Sequence, residues 1–259
     1  GDDVLFGGDG ADTMRGGQAN DSLSGGAGND FASYADATGA ITVNLSAGSS
    51  SGQHGEDSLT GIENILGGNG DDSILGDSLG NLIDGGSGLD FISYDNASGN
   101  VTVDLGAMRG YCDGTDTLIG IENILGGNGN DSIMGDSLGN LLNGGNGADT
   151  LLGSNGNETL DGSIGNDNLD GGRGDDSIVG EGYDIISGGD NNDTLIAGQH
   201  ALGGNGDDSI IGNSSAALAY GYVSGGEGND TLVWSATFDA DIIGDGGNDS
   251  ILVNGLSSW

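Results

Sequence analysis

Aspartate recurs in this chain at a spacing that suits a cation. From Gly7 the sequence reads GGDGADTMR, GGQANDSLS and GGAGNDFAS, three consecutive nonapeptides of the form G-G-x-G-x-D-x-U-x, where U is a large apolar residue. The frame returns at Gly67 as GGNGDDSIL, GDSLGNLID and GGSGLDFIS. From Gly126 it runs through GGNGNDSIM, GDSLGNLLN, GGNGADTLL, GSNGNETLD, GSIGNDNLD and GGRGDDSIV. Further copies start at Gly188 (GGDNNDTLI), Gly203 (GGNGDDSII), Gly225 (GGEGNDTLV) and Gly244 (GDGGNDSIL). The glycines permit positive φ, so the backbone can turn tightly and aim carbonyl oxygens at an ion. The sixth-position Asp adds a charged oxygen. A hard cation such as Ca²⁺ takes about six to eight oxygen ligands, which carbonyls from two turns plus carboxylates can supply.

Strands must hold such turns in place. The eighth position is Ile or Leu in most copies, including Leu23, Ile74, Ile133, Leu151, Leu160, Leu169, Ile178, Leu195, Ile210, Leu232 and Ile251. In a three-residue strand x-U-x only the middle side chain points inward, so stacked coils build a thin aliphatic column. The seventh position is mostly Ser or Thr, as an outward strand site requires. Two longer segments break the frame and match each other: FASY at Phe31 and FISY at Phe91, ITVNL at Ile41 and VTVDL at Val101, and GIENILGGNG at Gly61 and at Gly120. Ile41, Val43 and Leu45 alternate with Thr42 and Asn44, as Val101, Val103 and Leu105 do with Thr102 and Asp104, which predicts half-buried strands. Ile62, Ile65, Ile121 and Ile124 predict another short inward strand in each segment. The larger repeat is a wider coil with a thicker core, and 48–56 and 106–114 are expected to be protruding loops.

Composition agrees with a cation array. The 259 residues include 59 Gly and no Pro, and 41 acidic residues stand against Arg15, Arg109 and Arg173, for a formal charge of −38. A disordered acidic tail or a salt-adapted surface would also be acidic, but neither needs fixed spacing or the excess of Asp over Glu seen here. Nucleic acid is excluded as a partner because its phosphates would be repelled and no basic patch exists. No apolar run is long enough to insert in a membrane, and no signal peptide is visible. Cys112 is the single cysteine, so no intrachain disulfide can form. No nucleophile motif or phosphate loop occurs. Adjacent carboxylates such as Asp71 and Asp72 recur at repeat positions, which explains them without catalysis. His54 and His200 are isolated and are expected in exposed loops.

A dozen copies in one frame resemble the RTX, or hemolysin-type, calcium-binding repeat family over nearly the whole chain. The resemblance implies an all-β fold: a right-handed parallel β-roll, or β-solenoid, with calcium-binding Gly-rich turns and two wider coils. Two nonapeptides make one coil, and calcium lies between a repeat and the one two further along. Carried onto this sequence, the metal ligands are Asp3, Asp12, Asp21, Asp30, Asp72, Asp90, Asp131, Asp149, Asp167, Asp176, Asp193, Asp208, Asp230 and Asp249. Asn81 and Asn140 replace the Asp in two copies and Glu158 in a third, so those sites are expected to be weak or empty. Ala19 replaces the third Gly of its repeat, 180–187 is one residue short, and 197–202 lacks an Asp.

The expected organisation is one continuous solenoid: β-roll coils over 1–33, a wide-coil insertion over 34–66, coils over 67–93, a second insertion over 94–125, and coils over 126–259 with loops near 213–224 and 234–241. The expected function is that of a secreted, calcium-binding structural module of a bacterial cell-surface, surface-layer, adhesive or filament-forming protein. The module folds on Ca²⁺ outside the cell and is not an enzyme. The alternative is a C-terminal secretion and folding module of an enzyme exported by a type I system. Self-association, end to end or lateral, and polysaccharide binding stay open as partnerships. The chain starts inside a repeat at Gly1 and closes on Leu256 and Trp259, so either upstream residues are missing or subunits stack.

Overall fold

The structure is a computed structural model that describes residues 1–97, 99–112, 114–212, 221–235 and 240–254. Every regular element among them is a β-strand. The chain divides into two compact units, Gly1–Ala97 with Thr102–Leu125, and Ser98–Val101 with Gly126–Trp259. Each unit is a parallel β-solenoid with two sheets.

The second unit shows the nonapeptide rule in its plainest form. Alternate repeats feed alternate sheets, so strands pair in parallel with the strand two repeats on. Thr150–Asn155 pairs with Asn168–Arg173 in register Leu151↔Leu169. Thr159–Asp161 pairs with Ser177–Val179 in register Leu160↔Ile178. One sheet contributes an inward column of Leu142, Leu160, Ile178, Leu195, Ile210 and Leu232. The other contributes Ile133, Leu151, Leu169, Ile186, Ala201 and Val223. All twelve are buried. The core is therefore one side chain deep from each sheet.

Coil length varies while register does not. Ile178 pairs with Leu195, Leu195 with Ile210, and Ile210 with Leu232. The short repeats at 180–187 and 197–202 thus lose their residues from turns, and the small Ala201 occupies the inward site of the shortest coil. A one-residue slip inside a strand would turn the aliphatic face to solvent, so insertions and deletions are tolerated only between strands. Residues 213–220 and 236–239, within the two expected loops, and Leu256 and Trp259 lie outside the described residues. The flanking ends of those loops are strand, Gly221–Glu227, Thr231–Trp234 and Ala240–Gly246.

The first unit carries both insertions, and here the structure differs from the expectation of protruding loops. Ile41–Asn44, Ser49–Gly52 and Asp57–Thr60 form an antiparallel three-stranded meander lying in one sheet. Thr102–Asp104, Arg109–Tyr111 and Thr115–Ile119 form the equivalent meander in the other sheet. The alternating ITVNL pattern has a partner on both sides, and the segment read as a loop is that partner. Tyr34, Ala37, Ile41, Val43, Leu45 and Leu59 are buried beneath the first meander, and Tyr94, Ala97, Val103, Leu105 and Leu118 beneath the second. Ile65 and Ile124 lie in short inward strands, whereas Ile62 and Ile121 are buried just before them.

The fourth repeat position is Gly because the chain takes positive φ there and a coil lies against it. At Gly28 (φ +156°) a Cβ would run into the carbonyl oxygen of Gly10. Ala19 occupies the same position with φ 90°. Two stability outcomes follow for the protein in saturating calcium. Leu160→Ala empties part of a column only one side chain deep and should lower unfolding free energy by about 2–5 kcal/mol. Ala19→Gly relieves a positive-φ alanine and should raise it by about 1 kcal/mol. Denaturant titration of both variants checks the two signs.

Candidate calcium sites

The sixth-position carboxylates stack into ladders. Each Oδ1 accepts a hydrogen bond from the backbone N–H of the equivalent residue one coil earlier. In the second unit one ladder runs from Val101 N to Asp131 (2.8 Å), Asp131 N to Asp149 (2.7 Å), Asp149 N to Asp167 (2.8 Å) and Asp167 N to Asp184 (2.7 Å). The other runs from Glu158 N to Asp176 (2.8 Å), Asp176 N to Asp193 (2.9 Å), Asp193 N to Asp208 (2.8 Å), Asp208 N to Asp230 (2.9 Å) and Asp230 N to Asp249 (3.1 Å). In the first unit Asp21 accepts from Asp3 N (2.8 Å), Asp30 from Asp12 N (2.8 Å) and Asp90 from Asp72 N (2.7 Å).

The second oxygen decides the chemistry. Oδ2 of Asp12, Asp21, Asp30, Asp90, Asp131, Asp149, Asp167, Asp176, Asp193, Asp208 and Asp230 is buried with no hydrogen-bond partner, as are both carboxylate oxygens of Glu158. A buried anionic oxygen without a donor is costly unless a cation meets it. The first repeat glycine makes room for it. A Cβ on Gly188 would run into Asp193 Oδ2 and approach the Gly203 carbonyl oxygen, and one on Gly203 would meet Asp208 Oδ2 and the Gly225 carbonyl. Carboxylate and carbonyl oxygens thus converge on the same glycine, and the donor set is all oxygen. Among the described residues no three His, Cys, Asp or Glu side chains converge on one point. A bound ion would therefore complete its shell with backbone carbonyls, as a hard cation can. The residues present fit calcium, which would neutralise the ladder and tie consecutive coils together.

The remaining expected ligands behave differently. Asp72 has both oxygens satisfied, Oδ1 by Ile41 N (2.9 Å) and Oδ2 by Gly68 N (2.8 Å). Asp3 is exposed and lies 3.9 Å from the Gly1 amino group. Asp249 is half-buried at the end of its ladder. Asn81 keeps its ladder place and uses its amide, accepting from Asp77 N and donating to the Glu63 carbonyl.

Several ladder residues escape the nonapeptide pattern. Asp57, Asp116 and Asp184 are buried and accept from Asp21 N (2.9 Å), Asn81 N (3.0 Å) and Asp167 N (2.7 Å). Glu63 and Glu122 accept from Asp30 N (2.8 Å) and Asp90 N (2.9 Å). The surviving signal is the D-x-U triad in Asp57-Ser58-Leu59, Asp116-Thr117-Leu118 and Asp184-Ile185-Ile186 with one glycine two residues ahead of the Asp (Gly55, Gly114 and Gly182), while the paired glycines that open the repeat are gone. The fifth position also has a role that the repeat formula leaves blank. Its Asn or Asp accepts from the coil that follows: Asn157 from Asp175 N (3.1 Å), Asp175 from Asn192 N (3.0 Å), Asn192 from Asp207 N (2.7 Å) and Asp207 from Asn229 N (2.7 Å).

Neither histidine is the exposed loop residue expected. His54 is buried, its ring tilted against Tyr34 with centroids 6.1 Å apart and its Nε2 4.0 Å from Asp36 Oδ1. His200 opens the strand His200–Asn205 and is half-buried. His54 does lie in a turn, between Ser49–Gly52 and Asp57–Thr60, but the turn packs its ring inward against Tyr34 instead of leaving it in solvent.

Parallel coils, glycine turns and stacked carboxylates with buried, donor-less oxygens together define a calcium-binding repeat protein. The model of the RTX calcium-binding nonapeptide repeat (4 copies) matches residues 1–32, 116–151, 152–182, 178–199, 200–216 and 222–233, more than half of the chain, and the chain belongs to that family. A comparison with curated proteins found no match.

The ladder makes the calcium-free fold sensitive to pH. Burial, followed by neighbouring carboxylates, pushes Asp90, Asp167 and Asp208 up to about 6, Asp193 to about 7 and Glu158 to about 8. These carboxyls hold protons more tightly folded than unfolded, where an Asp titrates near 3.8. Their contribution to the calcium-free fold is therefore complete below that value and lost as pH rises through about 6 to 8. Circular dichroism in chelator should show β-structure in acid that falls substantially towards neutral pH, and calcium at neutral pH should restore it.

Proposed function

We propose that the chain is a structural module of a secreted bacterial surface protein, of the surface-layer, adhesive or filament-forming kind, which calcium folds outside the cell. The observation that carries this reading is the run of buried carboxylate oxygens without donors in a chain of charge −38. Where calcium is scarce, as in cytosol, those charges repel and the thin aliphatic columns cannot offset them, so the chain stays open enough to pass a secretion channel. Where calcium is abundant, binding and folding become one event.

The outer face of one sheet in the second unit supports assembly with a second copy. Its outward residues over five coils are Ser177 and Val179, Thr194 and Ile196, Ser209 and Ile211, Thr231 and Val233, and Ser250 and Leu252. None of these carries a charge, although Asp161 borders them one coil earlier on the same face, while the opposite sheet places Asp170 and Asp241 on its outer face among the coils themselves. Two copies of so acidic a chain can approach each other without repulsion only where charge is absent.

Calcium titration from a chelated start at neutral pH, followed by circular dichroism and light scattering, tests both parts. A coil-to-β transition with concentration-dependent growth in scattering is expected, and Ile196→Lys with Ile211→Lys should keep the transition and abolish the growth. Full β-structure in excess chelator at neutral pH would overturn calcium-driven folding. A transition without any association at high protein concentration would overturn assembly.

A further inference from the structure

The ladder positions of this chain divide into two kinds: those with a bare oxygen lie ahead of the first insertion, at Asp12, Asp21 and Asp30, and after Gly126, where Asp184, closed by Asp167 N and Glu181 N, is the exception. From Gly126 onward, Asp131, Asp149, Glu158, Asp167, Asp176, Asp193, Asp208 and Asp230 all bury carboxylate oxygens without a donor. Across 31–97 and 102–125, Asp90 is the only carboxylate to do so among the described residues. Asp57, Asp116 and Asp72 there have both oxygens satisfied by the protein itself. Tyr34 OH donates to Asp57 Oδ2 at 3.0 Å, and Ser50 Oγ, 2.7 Å from the same hydroxyl, donates to that oxygen at 3.0 Å. Asp57 Oδ1 is held by Asp21 N. In the second insertion Tyr94 OH donates to Asp116 Oδ2 at 3.1 Å, and Asn81 N holds Oδ1. Both phenols are buried, and burial followed by the neighbouring groups pushes their pKa values well up, so they remain donors at any working pH.

One ladder position, Asn81, carries an amide, and Asn64 carries another beside the ladder residue Glu63. Asn64 accepts from Leu82 N at 2.8 Å and donates to Asn29 Oδ1 and the Asp30 carbonyl, and Asn81 is satisfied in the same way on both sides. Asp72 is closed by two backbone N–H groups. The same stretch has the wider apolar core, with Tyr34, Ile41, Val43, Leu45 and Leu59 buried under one meander and Tyr94, Val103, Leu105 and Leu118 under the other.

We propose that these two insertions are a metal-independent core, in which the Tyr34 and Tyr94 hydroxyls stand in for the cation at Asp57 and Asp116, and that calcium orders the chain after Gly126. The inference rests on the calcium-coupled folding proposed above and locates where it acts. In chelator the two insertions are ordered while the ladders of the second unit stay open. In calcium those ladders close, their strand register set by the inward aliphatic side chains whatever the length of the coil between them.

Hydrogen exchange of the full chain, read segment by segment at neutral pH in chelator and in calcium, tests it. Protection in chelator is expected at Ile41–Asn44, Asp57–Thr60, Asn64–Leu66 and Thr115–Ile119. Thr159–Asp161, Asn168–Arg173, Thr194–Ala197 and Ser209–Gly212 should exchange fast until calcium is added. Tyr34→Phe with Tyr94→Phe should speed exchange of the meanders in chelator about tenfold or more, and leave the calcium-bound protection of the second unit unchanged. Uniformly fast exchange in chelator, with protection everywhere in calcium, would overturn the metal-independent core while leaving calcium-driven folding intact. Uniform protection in chelator would overturn both. Unchanged exchange in the double tyrosine variant would overturn the role given to the hydroxyls.

Discussion

A buried carboxylate with one oxygen bound and the other unmet is the constraint on which this protein depends. The bound oxygen is what aligns the coils. Each sixth-position Asp takes the N–H of the residue one coil before it, as Asp149 takes Asp131 N and Asp208 takes Asp193 N. That bond places successive carboxylates one strand spacing apart, about 4.8 Å. Two like charges at such a distance repel by about 3 kcal/mol at an effective dielectric near 20. Alignment and repulsion therefore come from the same geometry, and neither can be relieved by moving the side chain. A proton or a cation on the unmet oxygen resolves the conflict. The first glycine of each repeat exists for this oxygen, since a side chain there would occupy its place.

Around that constraint the rest of the repeat is a set of one-residue solutions. The eighth position fills a column one side chain deep, which cannot by itself hold a coil against the charge of its neighbours. The fifth position works in the opposite sense from the sixth. Asn157, Asp175 and Asn192 accept from the coil that follows, while Asp176 and Asp193 accept from the coil that precedes. Adjacent side chains thus clamp a coil from both directions and satisfy turn N–H groups that no strand reaches. Because each contact links only neighbouring coils, coil length can change between strands without disturbing register, as the 180–187 and 197–202 segments show.

What the amino-acid pattern reveals and what it hides follow from the same locality. A nine-residue period exposes the inward aliphatic and the sixth Asp because each has one physical role and tolerates few residue types. The fifth position tolerates Asn, Asp, Ala and Leu, so it reads as a blank although it is a ladder of its own. Asp57 lies in GQHGEDSLT and Asp184 in GEGYDIIS, which keep Gly55 and Gly182 two residues ahead of the Asp but have lost the opening glycine pair, so only a weakened copy of the repeat marks them. The meanders were hidden for a different reason. Ser49–Gly52 is Ser-Ser-Ser-Gly and Arg109–Tyr111 contains a glycine, compositions that signal loops when read alone. They are strands because the alternating segments on either side offer them unpaired backbone groups. His54 was misplaced with them: its burial depends on a meander that its own residues do not announce.

The insertions also show that the unmet oxygen has a second chemical solution. A tyrosine hydroxyl or an asparagine amide supplies a donor of fixed strength at no dependence on the medium. A cation supplies charge neutralisation whose stabilising effect grows with its concentration, as the logarithm of one plus the ratio of ligand to dissociation constant. A coil closed by Tyr94 and Asn81 would therefore be equally stable wherever the chain is, and a coil that calcium closed at Asp193 and Asp208 would be stable only where the ion is plentiful. Exchanging one solution for the other requires only the residue that meets Oδ2, together with enough apolar cover to keep water from it. On the proposal made above, sequence variation at that single contact would be sufficient to set which coils of such a solenoid respond to calcium.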